Sequence, residues 1–209
     1  MRMADLSRET GVPTATIKWY LREGLLPRGA TTRPNQAEYT ERHVGRIRLI
    51  RTLAEIGGLA MADIAAITAA VDDPATPIDS VVAAVHGALA RVAAPPSADA
   101  LAAADAFVGA RGWSIKAESP GRRELAAILA AIAGSERGLG FDGAASILAP
   151  YADALEPLAA AEITGLPDGS DRDAVVARVV AGTVLVERAI GALRRLAQED
   201  QFATLREVR

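Results

Sequence analysis

Apolar residues recur along this chain at three- and four-residue intervals and are not gathered into alternating runs, a pattern that predicts helices rather than a large sheet. Met3 and Leu6 share one side of a first helix that ends at Thr10, where Gly11 is a natural stop. Pro13 suits the first turn of a second helix, which carries Ile17 and Leu21 on its apolar side and runs to Glu23 before Gly24. Residues 28–38 are polar, with one Gly and one Pro, and fit a small wing or hairpin. Thr40 and Glu41 open a third helix in which Val44, Ile47, Ile50, Leu53 and Ala54 keep helical spacing as far as Gly57-Gly58. A short helix over about 60–71 follows and closes at Asp72-Asp73-Pro74.

The second part of the chain continues in helices. Val81, Val82, Val85, Leu89 and Val92 mark an apolar helix from Ile78 to Ala93, and Pro95-Pro96-Ser97 is the clearest break. Beyond it the spacing predicts helices near 97–110 and 120–133, the latter capped by Ser119, and one or two across 142–163. A last helix starts at Ser170, with Asp173 as its capping-box partner, and runs to about Gln198. Val175, Val176, Val179, Val180, Val184, Ile190, Leu193 and Leu196 give it a broad apolar face. The fold class is therefore mainly α. The expected division is an N-terminal domain over 1–72, a linker helix over 73–96, and an all-helical body over 97–209.

Composition narrows the chemistry. Cysteine is absent and there are two histidines, His43 and His86, which excludes disulfides and iron–sulfur clusters and argues against zinc. No metal and no cofactor is expected. The chain has neither an apolar leader nor an uninterrupted apolar run long enough to span a bilayer, so a soluble, cytoplasmic protein without membrane contact is the expectation. The net charge of −3 is uneven: residues 1–58 hold 10 basic and 6 acidic side chains, a net of +4, which leaves −7 for the remainder. Only 5 of the 46 alanines fall in those first 58 residues, so composition and charge change together. A basic segment on an acidic body is the asymmetry of a domain that meets a polyanion.

The second helix shows how such a meeting would work. Thr14, Lys18 and Arg22 lie four residues apart on one face, adjacent to the face of Ile17 and Leu21. A helix fits the major groove, where a Lys–Arg ridge reaches base edges or flanking phosphates; Trp19 and Tyr20 add hydrogen-bond donors for phosphate. An ordinary amphipathic helix with two solvated cations has the same pattern, and the flanking residues favour the nucleic-acid reading. Thr16-Ile-Lys-Trp-Tyr-Leu-Arg-Glu-Gly-Leu-Leu-Pro27 resembles the signature of the MerR family of bacterial regulators, and the likeness continues at Tyr39, at Val44, Arg46, Ile47 and Ile50, at Gly58-Leu59 and at Asp63-Ile64. It covers about residues 3–70.

The resemblance implies a MerR-type winged helix-turn-helix. Thr14, Thr16, Lys18, Trp19, Tyr20, Arg22, Tyr39 and Arg46 then stand at candidate DNA-contact positions. Gln36-Ala37 replaces a Tyr-Arg pair frequent in the family, and Arg33 and Asn35 are candidates to supply the missing phosphate grip. Tyr39 reads equally as a core-capping tyrosine, and Arg46 as a solvated helix residue. The family also implies a homodimer joined by a coiled coil, acting on double-stranded promoter DNA by distorting the spacer between promoter elements, with RNA polymerase as an indirect partner. The 78–93 helix is short for that coiled coil; the last helix is a candidate for further contact, although burial in the body's own core is the simpler use of its face. Phe107, Trp113, Phe141 and Tyr151 are candidates to line an apolar pocket for a small-molecule effector, or to fill gaps in an alanine-rich core.

Other motifs carry less. Gly138 to Gly143 has the glycine spacing of a dinucleotide fingerprint but follows a helix rather than a strand. Glu136 and Asp142 flank the same loop without a nucleophile, so no enzyme is indicated. A ligand-sequestering protein with little specific DNA affinity is the alternative function.

Overall fold

The computed structural model describes residues 1–33, 36–90, 94–139, 143–165 and 172–207. It divides into two compact units, Met1–Val85 together with Arg172–Arg209, and His86–Asp171.

The first unit begins with α1 (Met3–Thr10) and α2 (Thr14–Arg22). Gly11 adopts φ 68° at the end of α1, a conformation glycine reaches without strain. The turn is closed by side chains, since Ser7 Oγ donates to the Val12 carbonyl at 2.7 Å and Thr10 Oγ1 to the Leu6 carbonyl at 2.7 Å. At the far end of α2 the Leu25 and Leu26 amides both donate to the Tyr20 carbonyl, which folds two leucines into the core. Strands β1 (Ala30–Arg33) and β2 (Gln36–Glu38) form the expected antiparallel wing, with Ala30 opposite Glu38 and Thr31 opposite Ala37. Gly29 has to be glycine, because a Cβ there would lie 2.6 Å from the Glu38 carbonyl oxygen.

Helix α3 (Glu41–Arg51) runs into a π-helical turn over Thr52–Ile56, and α4 (Met61–Asp72) follows. Leu6, Ile17, Ile47, Ile50, Leu53 and Ile64 are fully buried where these elements meet. Helix α5 (Ile78–Leu89) stops short of the expected Ala93, and residues 91–93 lie outside the described part.

The last helix, α9 (Arg172–Glu207), differs most from expectation. Val176, Val180 and Val184 are fully buried, and α9 belongs to the first unit, where it packs on the π-helical turn and α4. The 97–209 segment is thus divided between the two units, and the valine face is not part of the body's own core. Two features account for this. Gly57 has no side chain, so Val184 Cγ1 comes within 3.0 Å of the place its Cβ would occupy. Arg188 then donates to the Ile56 carbonyl at 3.1 Å and to the Gly57 carbonyl, acceptors that the end of a helical stretch leaves without partners. The expected Ser170–Asp173 capping box falls largely on residues outside the described part.

The second unit holds α6 (Ala98–Ala110), α7 (Pro120–Leu139) and α8 (Ala144–Thr164). Ser97 caps α6 by accepting the Ala100 amide at 3.2 Å. Ala100, Ala104, Ala126 and Leu129 form its core, with Leu101, Phe107, Leu125 and Leu148 against it. Helix α7 is longer than the spacing predicts, and α8 is one helix despite Pro150 and Pro157 within it. The glycine-spaced loop, Phe141 and Asp142 include residues 140–142, which lie outside the described residues.

Candidate nucleic-acid interface

Helix α2 is seated by Ile17, fully buried, and by Tyr20, 7% exposed. Leu21, the expected second anchor, is only half-buried, because the step of three from Ile17 rather than the step of four points at the core. That choice sorts the candidate contacts. Thr14, Lys18 and Arg22 are exposed along the outer side of α2, whereas Thr16 and Trp19 are half-buried at its margins.

Three aromatic and basic candidates are withdrawn from the surface. Tyr20 packs inward beside Trp19, with ring centroids 5.5 Å apart; burial, then the Glu55 carboxylate, raises its hydroxyl pKa above the ordinary value. Tyr39 is 6% exposed, and its backbone exchanges hydrogen bonds with that of Met1 at 2.8 and 2.9 Å. Its ring meets His43 edge-on, with centroids 5.2 Å apart. Of the two readings open for Tyr39, the core-capping one describes its position. Arg46 is not a solvated residue: it is 7% exposed, donates to the Thr68 carbonyl at 3.2 Å, and pairs with Asp72. It ties α3 to α4. Asn35 and the side chain of Arg33 lie outside the described residues.

His43 supports the wing from below. Its Nδ1 accepts the Thr40 amide at 3.0 Å, which caps α3 and places the ring proton on Nε2. Nε2 is buried. Burial lowers the imidazole pKa below its ordinary value.

The basic side chains of this unit fall into two groups. Arg8 pairs with Asp5 at 2.6 Å, Arg48 with Glu9 at 3.2 Å and Arg51 with Glu55 at 2.8 Å, while Arg42 lies 3.9 Å from Asp72. Arg2, Lys18, Arg22 and Arg28 are exposed and pair with no carboxylate among the described residues. Lys18 and Arg2 border one groove of about 800 Å³, whose other walls are Met3 and Ala4 of α1, Leu21 of α2, Thr31, Gln36 and Ala37 of the wing, and Tyr39. The groove thus joins the outer face of α2 to the wing. Arg2, Thr31 and Gln36 were not among the sequence candidates; a basic residue immediately before α1 was the available signal for Arg2.

This geometry matches a known architecture. The family described as MerR HTH family regulatory protein matches residues 1–71. A crystal structure of a protein from Streptomyces coelicolor A3(2), assigned as a transcriptional regulator, is 33% identical and superposes with a TM-score of 0.68, the match covering 96% of this chain and 95% of that one. The chain belongs to the MerR family. No curated protein matches it.

Membership accounts for the arrangement of the first unit. A MerR regulator is a DNA-binding transcription regulator, and here α1, α2 and the wing surround the groove that carries the unpaired cations. Of the sequence candidates for an effector pocket, Phe141 lies outside the described residues. Phe107 lines a hollow in the second unit; Trp113 and Tyr151 do not, and Tyr151 is exposed. Among the described residues no helix is long and apolar enough to cross a membrane, and no cluster of three His, Cys, Asp or Glu could hold a metal ion.

Proposed function

We propose that this MerR-family protein binds double-stranded promoter DNA through α2 as a homodimer and regulates transcription by distorting the spacer, under the control of a small-molecule effector. The observation that carries this reading is the Thr14–Lys18–Arg22 face, exposed and unpaired among the described residues while other cations of the same unit are held by carboxylates. Lys18 and Arg22 are the base or phosphate contacts from α2, Thr14, Thr16 and Trp19 are its polar margin, and the wing adds phosphate contacts through Arg33 and Asn35. Arg2 extends the same groove.

Dimerisation supplies the specificity. Two α2 helices about 34 Å apart read inverted half-sites, so that weak single contacts become one strong one. Helix α5 is 12 residues long, about 18 Å, whereas α9 has 36 residues and reaches about 54 Å. Exposed Leu185, Ile190, Leu193 and Leu196 lie along α9 from its buried valines onward, a surface suited to the second protomer. An effector shifts DNA binding only by as much as it prefers one dimer geometry over another.

Selection from a random duplex library tests the reading. The expected product is an inverted repeat whose half-sites lie on one face of the helix. Enrichment of no sequence defeats it and leaves a ligand-sequestering protein.

A further inference from the structure

The second unit has a half-open hollow on one side of its alanine-rich core. Ala103, Ala106 and Ala110 on α6, Leu129 and Ala133 on α7, and Ala145 and Ala149 on α8 surround about 800 Å³, with Phe107 in the wall. Helix faces of alanine would let neighbouring helices approach to the short end of the usual range of about 8–10 Å. Arg111 stands between α6 and α8 instead. Placed just after the last residue of α6, it donates to Asp153 at 2.5 Å and to the Ala149 carbonyl at 3.0 Å, both on α8. The Phe107 and Trp113 rings each have their centroid 5.9 Å from its guanidinium carbon and hold this strut in place. The volume is that of a pocket for a drug-sized molecule, and walls of methyl groups admit a flat ring system beside Phe107.

The rim chooses the charge. Its polar side chains are Arg111, Asp153 and Glu156, one guanidinium against two carboxylates. Arg111 is already bonded to Asp153 and lies 3.9 Å from Glu156, whose side chain is 53% exposed. Pro157 has no N–H, so the Asp153 backbone carbonyl loses the donor that an ordinary helix would give it. The rim therefore offers acceptors and a net negative charge. Residues 86–171 as a whole carry 6 basic and 11 acidic side chains, a net of −5, a field that draws cations towards this unit. We propose that the hollow between α6, α7 and α8 binds an organic cation with a flat apolar body and an N–H donor at one end, an assignment that rests on the effector reading above and names its ligand class.

Two tricyclic probes of opposite charge test it on the full chain without DNA, 9-aminoacridine as the cation and anthracene-9-carboxylate as the anion, with binding read by fluorescence. The cation is expected to bind at least about tenfold more tightly than the anion, a margin of about 1.4 kcal/mol. Glu156→Gln, a change at an exposed position, is expected to narrow that margin by about two- to fivefold, as for a partly exposed ion pair. Ala106→Phe, which fills the hollow, is expected to abolish binding of the cation. Equal binding of the two probes, preference for the anion, or full cation affinity in either variant overturns the proposal. DNA affinity is measured separately on the same proteins, with Ala106→Phe as the control for dye bound directly to DNA. A cation that binds in the hollow without altering DNA affinity sustains the site and defeats the effector reading; no cation binding in a chain that still binds DNA overturns the site and leaves the DNA-binding reading standing.

Discussion

Replacing Arg46 by alanine separates a structural arginine from a DNA-contacting one. The guanidinium is buried, donates to the Thr68 carbonyl at 3.2 Å, and pairs with an Asp72 side chain that is 37% exposed. A hydrogen bond to a charged group contributes about 1.5–3 kcal/mol, and both of these are donated by a cation. The Asp72 term falls at the lower end of its range because water reaches the carboxylate once Arg46 is gone. The Thr68 term is small because that carbonyl lies within α4 and has a helical donor of its own. Lost contacts along the arginine stem add to both. The total is about 2–3 kcal/mol, which for a urea slope of about 2 kcal/mol/M lowers the midpoint by about 1–1.5 M. The assay is urea unfolding followed by circular dichroism, paired with DNA affinity under conditions where the variant is still folded. Unchanged stability with lost DNA affinity would refute the reasoning and return Arg46 to the DNA surface.

Other outcomes follow from the same contacts. His43 is held neutral by burial, so its folded pKa lies below that of the unfolded chain. Stability is therefore complete above about pH 6.5 and declines as pH falls from there through the folded value. Urea midpoints across pH 5–8 should show this decline, and His43→Gln should flatten it. Gly57→Ala would place a methyl group 2.6 Å from the Leu53 carbonyl oxygen and 3.0 Å from Val184 Cγ1, and should cost at least about 1–3 kcal/mol in thermal unfolding. An unchanged Tm would mean that α9 does not dock there. Arg122 bonds to Asp105 at 2.6 and 2.7 Å, but Asp105 is more than half exposed, so Arg122→Ala should leave the urea midpoint almost unchanged.

How far the sequence can be read depended on the range of each interaction. The helix-turn-helix and its wing were legible because their signals are local: Gly11 and Gly24 end the two helices, both at positive φ, and Gly29 allows the strands to close. The choice between Tyr20 and Leu21 as the second anchor was not, since steps of three and four both follow a helix face. Arg46 reads as a solvated residue because its carboxylate partner lies 26 positions later, across a packed interface. The docking of α9 has a longer reach still, 131 and 132 positions between Arg188 and its two acceptors. Even so, a trace was present: Val176, Val180, Val184 and Arg188 follow one another at steps of four, which places the arginine on the buried stripe. In the second unit Phe107 was legible as a pocket residue but the alanine walls were not, because a hollow depends on which helices fail to close rather than on any large side chain.

The most direct test of the account is the affinity of Lys18→Ala for the selected duplex, measured by anisotropy over a range of salt concentrations. Wild-type affinity should fall steeply with salt as counterions are released, and the variant should bind about 1–3 kcal/mol more weakly with its fold intact. If Lys18 meets a phosphate, the salt slope should also drop by about one unit; if it reads a base edge, discrimination at one position should relax instead. Wild-type affinity in the variant, with unchanged slope and unchanged sequence preference, would contradict the assignment of the α2 face to DNA.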